Sequence, residues 1–280
     1  MKKAIICSKH SYSSIKSIVA SLENVSLFRS INNRIRPIPE GLYDILIRWG
    51  GTSTAVPLST NAIIYNKREG IKNASNKFKA RKLLLEHNVD TPDTWMKYEK
   101  PKTFPCIGRF KNHYGGSHYY FCNDFEDYIK AIQDGCYYFS EYFEKDKEFR
   151  VHTFLGRCLI LQKKIVPEGT DPSLPWNFDS GNIEKFNAIR WGDYCNYLNI
   201  INTAIEATEV LGLDFAAVDI MSKDDEVSVL EVNTAPKLDS YPVERYTEGF
   251  KYLFASSERR EWFEEDLNGG NRLRHRELQI

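Results

Sequence analysis

An N-terminal α/β domain, followed by a region of antiparallel hairpins and intervening helices, is what the order of periodic segments predicts for this chain. Three observations carry the prediction. Residues 1–51 read strand, helix, strand, the pattern of a small parallel sheet. Two later apolar strands, 104–110 and 148–154, are each followed by a returning strand, at 121–122 and 158–166. Residues 213–238, LDFAAVDIMSKDDEVSVLEVNTAPKL, read as a β-hairpin with two apolar arms around the polar turn 222–226.

Taken in order, residues 3–7 (KAIIC) form a buried-strand candidate. Ile15, Ile18, Val19 and Leu22 have helical spacing over 12–22. Residues 43–49 are a second strand that ends in Gly50-Gly51-Thr52-Ser53, either a ligand-binding turn at a strand's carboxyl end or a plain turn. Residues 76–87 (NKFKARKLLLEH) are a helix capped by Ser75 or Asn76 and stopped by NVDTP. Between the strand 104–110 and its return lies KNHYGGSH, whose Gly115 and Gly116 allow backbone N–H groups to approach phosphates. Arg109 and Lys111, two apart at the strand end, are expected on one side.

Residues 123–133 are a capped helix with Phe125, Tyr128, Ile129 and Ile132 on its apolar side, and 137–143 a strand. EFRVHTF alternates polar and apolar residues, so Glu148, Arg150 and His152 share a strand face. His152 reads as a structural hydrogen bonder. Lys163 and Lys164 point to opposite faces of the returning strand, so at most one of them is expected at a ligand. Residues 167–191 carry few regular signals, and a long irregular stretch in a compact domain is often functional. Residues 194–211 are a helix with Gly212 as C-cap, 243–263 another helix, and 266–280 a charged, frayed tail.

Composition narrows the function classes. The chain has 280 residues, 42% hydrophobic, enough for a sizeable core. Lys plus Arg and Asp plus Glu both number 38, so no global basic field points to nucleic acid or a membrane surface. The N-terminus MKKAIICSKHS has too short an apolar run for a signal peptide, and no segment approaches membrane-spanning length. Six scattered cysteines lack C-x-x-C spacing and read as reduced thiols in a cytoplasmic protein without a zinc site.

The hairpin carries the chemistry. Asp219, Glu231 and Asn233 interrupt an otherwise apolar ladder. Glu231 and Asn233 share a strand face, and a turn near Asp224 or Asp225 places Asp219 across from Leu230 or Glu231. Two carboxylates and an amide oxygen suit a hard cation such as Mg²⁺. Carboxylates inside an apolar run are costly unless paired or metal-bound.

D-I followed by L-E-V-N-T-A-P resembles the metal-binding end of the ATP-grasp ligases, most closely the RimK-like, phage-type carboxylate–amine ligases. Further motifs extend the resemblance over residues 76–250: NKFKARKLL with its NVDTP stop, the glycine loop, SEYF, and EFRVH followed by QKK. The chain departs from the family at Ser117-His118-Tyr119-Tyr120 in the loop and at Lys237 after the hairpin. The resemblance implies an α/β N-terminal domain (residues 1–75) and then an α+β ATP-grasp fold. Its two subdomains (76–145 and 146–265) clasp ATP, and a tail follows (266–280).

For the site, the resemblance implies that Lys77, Arg109, Lys111, Gly115, Gly116, Glu148 and at most one of Lys163 and Lys164 attend the nucleotide, with Glu144 a further candidate for the ribose. Glu141, Tyr142 and Phe143 line the adenine, and Arg150 and Arg190 act on the acyl phosphate or substrate. Asp219, Glu231 and Asn233 hold Mg²⁺, or Mn²⁺ in its place. The implied reaction joins a carboxylate to an amine (an amino acid, peptide or protein terminus) through an acyl phosphate, releasing ADP and phosphate. An ATP-grasp kinase and a non-catalytic nucleotide-binding protein are the alternatives. A homo-oligomer is compatible with all three.

Overall fold

The computed structural model describes residues 1–32, 34–111, 119–171, 173–176, 183 and 185–255. Gly115, Gly116 and the tail 266–280 lie outside the described residues. The chain divides into two compact units, residues 1–68, 190–193 and 235–280, and residues 69–189 and 194–234.

The first unit is built on a five-stranded sheet of β1 (Lys3–Ser8), β2 (Val25–Ile31), β3 (Arg34–Arg36), β4 (Tyr43–Trp49) and β5 (Leu58–Tyr65), in the order β3-β2-β1-β4-β5. β1, β2, β4 and β5 run parallel and β3 is antiparallel. Strand, helix, strand thus gives the parallel α/β unit expected. Helix α1 (Tyr12–Ala20) buries Ile15 and Ile18. Trp49, fully buried, donates its indole N–H to Ser14 Oγ at 3.0 Å. Edge-on to Trp49 lie Tyr246 and Phe250 of α6 (Ser240–Phe254), with centroids 5.1 and 6.0 Å away. Gly50 takes φ +67°, a left-handed value that glycine adopts freely, and a Cβ there would come 2.9 Å from Ala235 Cβ.

The second unit holds two sheets. A four-stranded antiparallel sheet, order β6-β9-β7-β8, contains β6 (Thr94–Met96), β7 (Cys106–Arg109), β8 (Tyr119–Cys122) and β9 (Tyr138–Glu141). One face packs Trp95, Cys106, Cys122 and Phe139 against Tyr128 and Ala131 of α4 (Phe125–Gln133). Asp124 caps α4, accepting from the backbone N–H groups of Glu126 and Asp127. The described cysteines are free thiols.

The other sheet, order β12-β11-β10-β13-β14, contains β10 (Lys147–Phe154), β11 (Arg157–Ile165), β12 (Lys185–Ala188), β13 (Phe215–Lys223) and β14 (Glu226–Asn233). Helix α5 (Leu198–Val210) covers one face, where the Thr153 and Thr208 hydroxyls meet at 2.8 Å. The sequence pattern begins this helix at 194, but residues Trp191–Tyr197 form a 3-10 segment first. Also unannounced by periodicity is α2 (Arg68–Ser75), a polar helix whose Gly70 abuts the Gly212 carbonyl. Helix α3 (Lys77–Glu86) follows, capped by Asn76. No helix among the described residues is long and apolar enough to cross a membrane.

Candidate active site

The face of the second five-stranded sheet opposite α5 is polar, and its strand register sets the site. Arg150 pairs with Gln162 on one side and Asp219 on the other, and Asp219 pairs with Glu231. The hairpin turn falls at Asp224-Asp225, with Asp224 at φ +50°. A bulge between Asp219 and Ile220 skips Leu230, so Glu231 rather than Leu230 stands across from Asp219. Without it, the alternation would turn either Asp219 or Glu231 to the α5 face.

Every carboxylate oxygen in this row is engaged. Arg150 grips Asp219 with two bonds, Nε–Oδ1 at 2.7 Å and Nη2–Oδ2 at 2.8 Å, the fork geometry of a guanidinium. Lys164 Nζ stands 3.6 Å from Asp219 Oδ2 and also pairs with Glu148. Lys77 Nζ reaches Glu231 Oε2 at 2.6 Å, and Asn233 Nδ2 donates to Glu231 Oε1 at 3.0 Å. Phe186 on β12 lies beneath the Arg150 guanidinium, 4.6 Å from ring centroid to Cζ.

Burial pushes the Asp219 carboxyl up, but Arg150 and Lys164 outweigh it and hold it below the ordinary carboxylate range. Glu231 behaves likewise: burial raises it, and the Lys77 ammonium and its hydrogen bond bring it well down. Burial works against the Arg150 charge, yet Asp219 carries the guanidinium above its usual value. His152, fully buried, donates its Nε2–H to Gln162 Oε1 at 3.1 Å. Burial, then Arg150, push its imidazole down to about 3, so it is neutral.

Of the two lysines left open by the sequence, Lys164 lies on the polar face among Glu148 and Asp219, while Lys163 is half-buried and faces the other way. Arg109 rests over Tyr119 at 4.5 Å and Lys111 over Tyr137 at 5.3 Å, so the two cations settle on different rings. Glu141 shares a strand face with Phe139, on the α4 side, and its side chain is exposed. Tyr142 meets Phe121 edge-on at 4.9 Å, and Phe143 beside it is half-buried. Arg190 is exposed and belongs to the first unit, unlike the other candidates described.

Two cations escape sequence reasoning. Lys145 is buried, 3.3 Å from Glu148 Oε1 and 4.8 Å from the Trp176 ring centroid. Arg81, one turn after Lys77 on α3, donates from Nη2 to the bulged Leu230 carbonyl at 3.3 Å. Its Nε and Nη1 are buried without a hydrogen-bond partner among the described residues. In the sequence Lys145 sits in the charge run EKDKE and Arg81 in a helical face, and both patterns normally mark solvated side chains.

No family model matches this chain, and no curated protein matches it. Solved structures do. The ATP-grasp ligase PsnB in complex with a minimal precursor superposes with a TM-score of 0.62 at 12% identity, over 91% of this chain and 99% of that one. The chain has the ATP-grasp fold. The D-alanine–D-alanine ligase from Bacillus anthracis also superposes, with a TM-score of 0.56 at 15% identity, over 86% of this chain and 89% of that one. Its ATP complex gives 0.57 at the same identity. In this chain the ATP-grasp fold places Asp219, Glu231 and Asn233 on one face of adjacent strands, with Arg150, Lys164 and Lys77 as their partners.

Proposed function

We propose that this chain is an ATP-dependent carboxylate–amine ligase of the RimK-like, phage-type group, acting in the cytoplasm. One observation carries the reading: Asp219 and Glu231 stand directly opposite on adjacent strands, held anionic amid a ring of cations. The donor set fits a hard divalent cation, since it offers two ionised carboxylates and, beside them, the Asn233 amide. Asp219, Glu231 and Asn233 would hold Mg²⁺. The ion, when bound, supplies charge neutralisation at the β- and γ-phosphates.

The chain's own residues supply the rest. Arg150 and Lys164, preorganised by Asp219 and Glu148, present fixed positive charge where the γ-phosphoryl group moves. A substrate carboxylate oxygen attacks the γ-phosphorus, and the β–γ bond breaks with its electrons on ADP. An amine nitrogen then attacks the acyl carbon, phosphate departs, and the nitrogen loses a proton. Such a sequence asks the protein for positioning and electrostatics rather than for a nucleophile. His152, neutral and bound to Gln162, has a supporting place in the sheet. Arg109, Lys111 and the Gly115-Gly116 loop attend the phosphates in this reading, and Glu141–Phe143 the adenine. Arg190 attends the acyl group, and the two sheets of the second unit act as the two subdomains.

The test is Mg²⁺-dependent ADP release from ATP in the presence of pools of amino acids and peptides, comparing wild type with Glu231→Ala. A pool that raises ADP release in the wild type alone, and yields an amide by mass spectrometry, is the expected result. A phosphorylated product that persists without amine would instead identify a kinase. Near-normal turnover in Glu231→Ala would remove the cation assignment.

A further inference from the structure

The strand that carries Glu231 is the edge of its sheet, and α3 with the segment after it covers that edge. Val229 exchanges both backbone groups with this segment: its N–H goes to the Asp90 carbonyl at 2.7 Å, and its carbonyl accepts from Thr91 Oγ1 at 2.8 Å. Arg81 holds the Leu230 carbonyl, and Lys77 the Glu231 carboxylate. Four consecutive contacts thus dock one segment along residues 229–231.

These contacts differ in how readily they give way. Asp219 is buried, and both its oxygens are locked by Arg150, itself 16% exposed. Lys77 is 34% exposed, at the first turn of its helix, on a long flexible stem. It is therefore the partner a divalent cation can displace.

Charge decides when displacement is favourable. Lys77, Arg81, Arg109, Lys145, Arg150 and Lys164 act on this cluster, against the carboxylates of Glu148, Asp219 and Glu231. Among these described residues the cations exceed the anions by three. A free divalent cation entering such a field meets net repulsion in a partly desolvated setting, where Coulomb interactions are strong. A polyphosphate chain reverses the sign.

We propose that Lys77 is the resident counter-ion of Glu231, and that a divalent cation enters this site only together with a polyphosphate chain that draws Lys77 away. The proposal rests on the reading of Asp219, Glu231 and Asn233 as cation ligands. Lys77 serves two partners in turn: the carboxylate in the resting protein, the phosphates in the loaded one. The cation then fills the position the ammonium leaves, and the site never holds an uncompensated Glu231.

The experiment follows Mn²⁺ by the loss of its free-ion electron paramagnetic resonance signal on adding the full chain. Wild type alone is expected to leave the signal unchanged, and wild type with the β,γ-imido analogue of ATP to diminish it. Lys77→Met, which removes the internal cation at a half-exposed position, is expected to bind Mn²⁺ without nucleotide at least about tenfold more tightly than wild type. Lys77→Arg keeps a cation there and is expected to behave as wild type does. Wild type binding Mn²⁺ alone as tightly as Lys77→Met would overturn the proposal. Glu231→Gln separates the two levels: if it retains nucleotide-dependent Mn²⁺ binding at wild-type strength, the ligand assignment fails, and the proposal with it.

Discussion

Arg150 shows what single residues contribute here. It sits between Asp219 and Phe186, with a bidentate bond to one and its plane over the other. Replacing it by Met would leave Asp219 buried, with Lys164 at 3.6 Å as its remaining cation. Breaking one side of a buried ion pair costs about 3–5 kcal/mol, so Arg150→Met should lower the denaturant midpoint by a corresponding amount. Arg150→Lys should recover part of that loss, since it restores charge without the fork. His152 gives a pH prediction. Its folded value, about 3, lies below the ordinary unfolded value near 6.5. The unfolded chain therefore takes up the proton first. The stability due to this group is complete above about pH 6.5 and falls as pH drops, levelling below about 3. The slope is at most about 1.4 kcal/mol per pH unit. His152→Gln should be less stable at pH 7 yet flatter between pH 6.5 and 5, as read from denaturant midpoints across that range. Residues of this kind were readable where alternation assigns a face. Glu148, Arg150 and His152 do share one, and Glu231 does face Asp219. Arg81 and Lys145 were not, because a buried cation and a solvated one look alike in sequence until the partner is known.

At the scale of elements, the bulge at Leu230 and the close approach at Gly70 carry the most consequence. The hairpin itself was legible from its apolar arms and polar turn, but the choice between Leu230 and Glu231 as the neighbour of Asp219 was not. A bulge depends on the partner strand and on what satisfies the extra carbonyl, here Arg81 from a segment about 150 residues away. Helix α2 was missed for a related reason: it is short and polar, and Ile71 and Ala74 are the only apolar side chains it buries. Gly70 is where that packing is tightest. A Cβ there would lie 2.3 Å from the Gly212 carbonyl oxygen, which belongs to the backbone and cannot rotate away. Alanine in a helix is worth about 0.5–1 kcal/mol over glycine. Overpacking against a fixed backbone costs about 1–3 kcal/mol and prevails. Gly70→Ala should thus destabilise the protein despite the better helix former, and faster amide exchange in α2 and at Leu213 would show where the strain is released.

For the molecule as a whole, balanced charge conceals a local asymmetry. Acidic and basic residues are equal in number, yet four cations, Lys77, Lys145, Arg150 and Lys164, pair with three carboxylates, Glu148, Asp219 and Glu231, on one sheet, with Arg81 beside them. The chain also returns to its first unit after completing the second. Residues 235–255, including α6, belong with the N-terminal sheet. Neither feature follows from composition, since both depend on which distant segments meet. The return has a testable consequence at Phe250. This ring is fully buried, edge-on to Trp49 and 6.0 Å from Tyr246. Truncating a buried Phe to Ala removes its transfer free energy and leaves a cavity, together about 3–5 kcal/mol. Because Trp49 ends β4 and pairs with Ser14 of α1, the loss should spread through the parallel sheet rather than stay in α6. Phe250→Ala should speed amide exchange in β1, β4 and α1, while β10 and β13 keep their protection and Mn²⁺ binding with the imido nucleotide persists. Uniform loss of protection in both units would show instead that the N-terminal sheet and the cation-binding sheet open as one cooperative body.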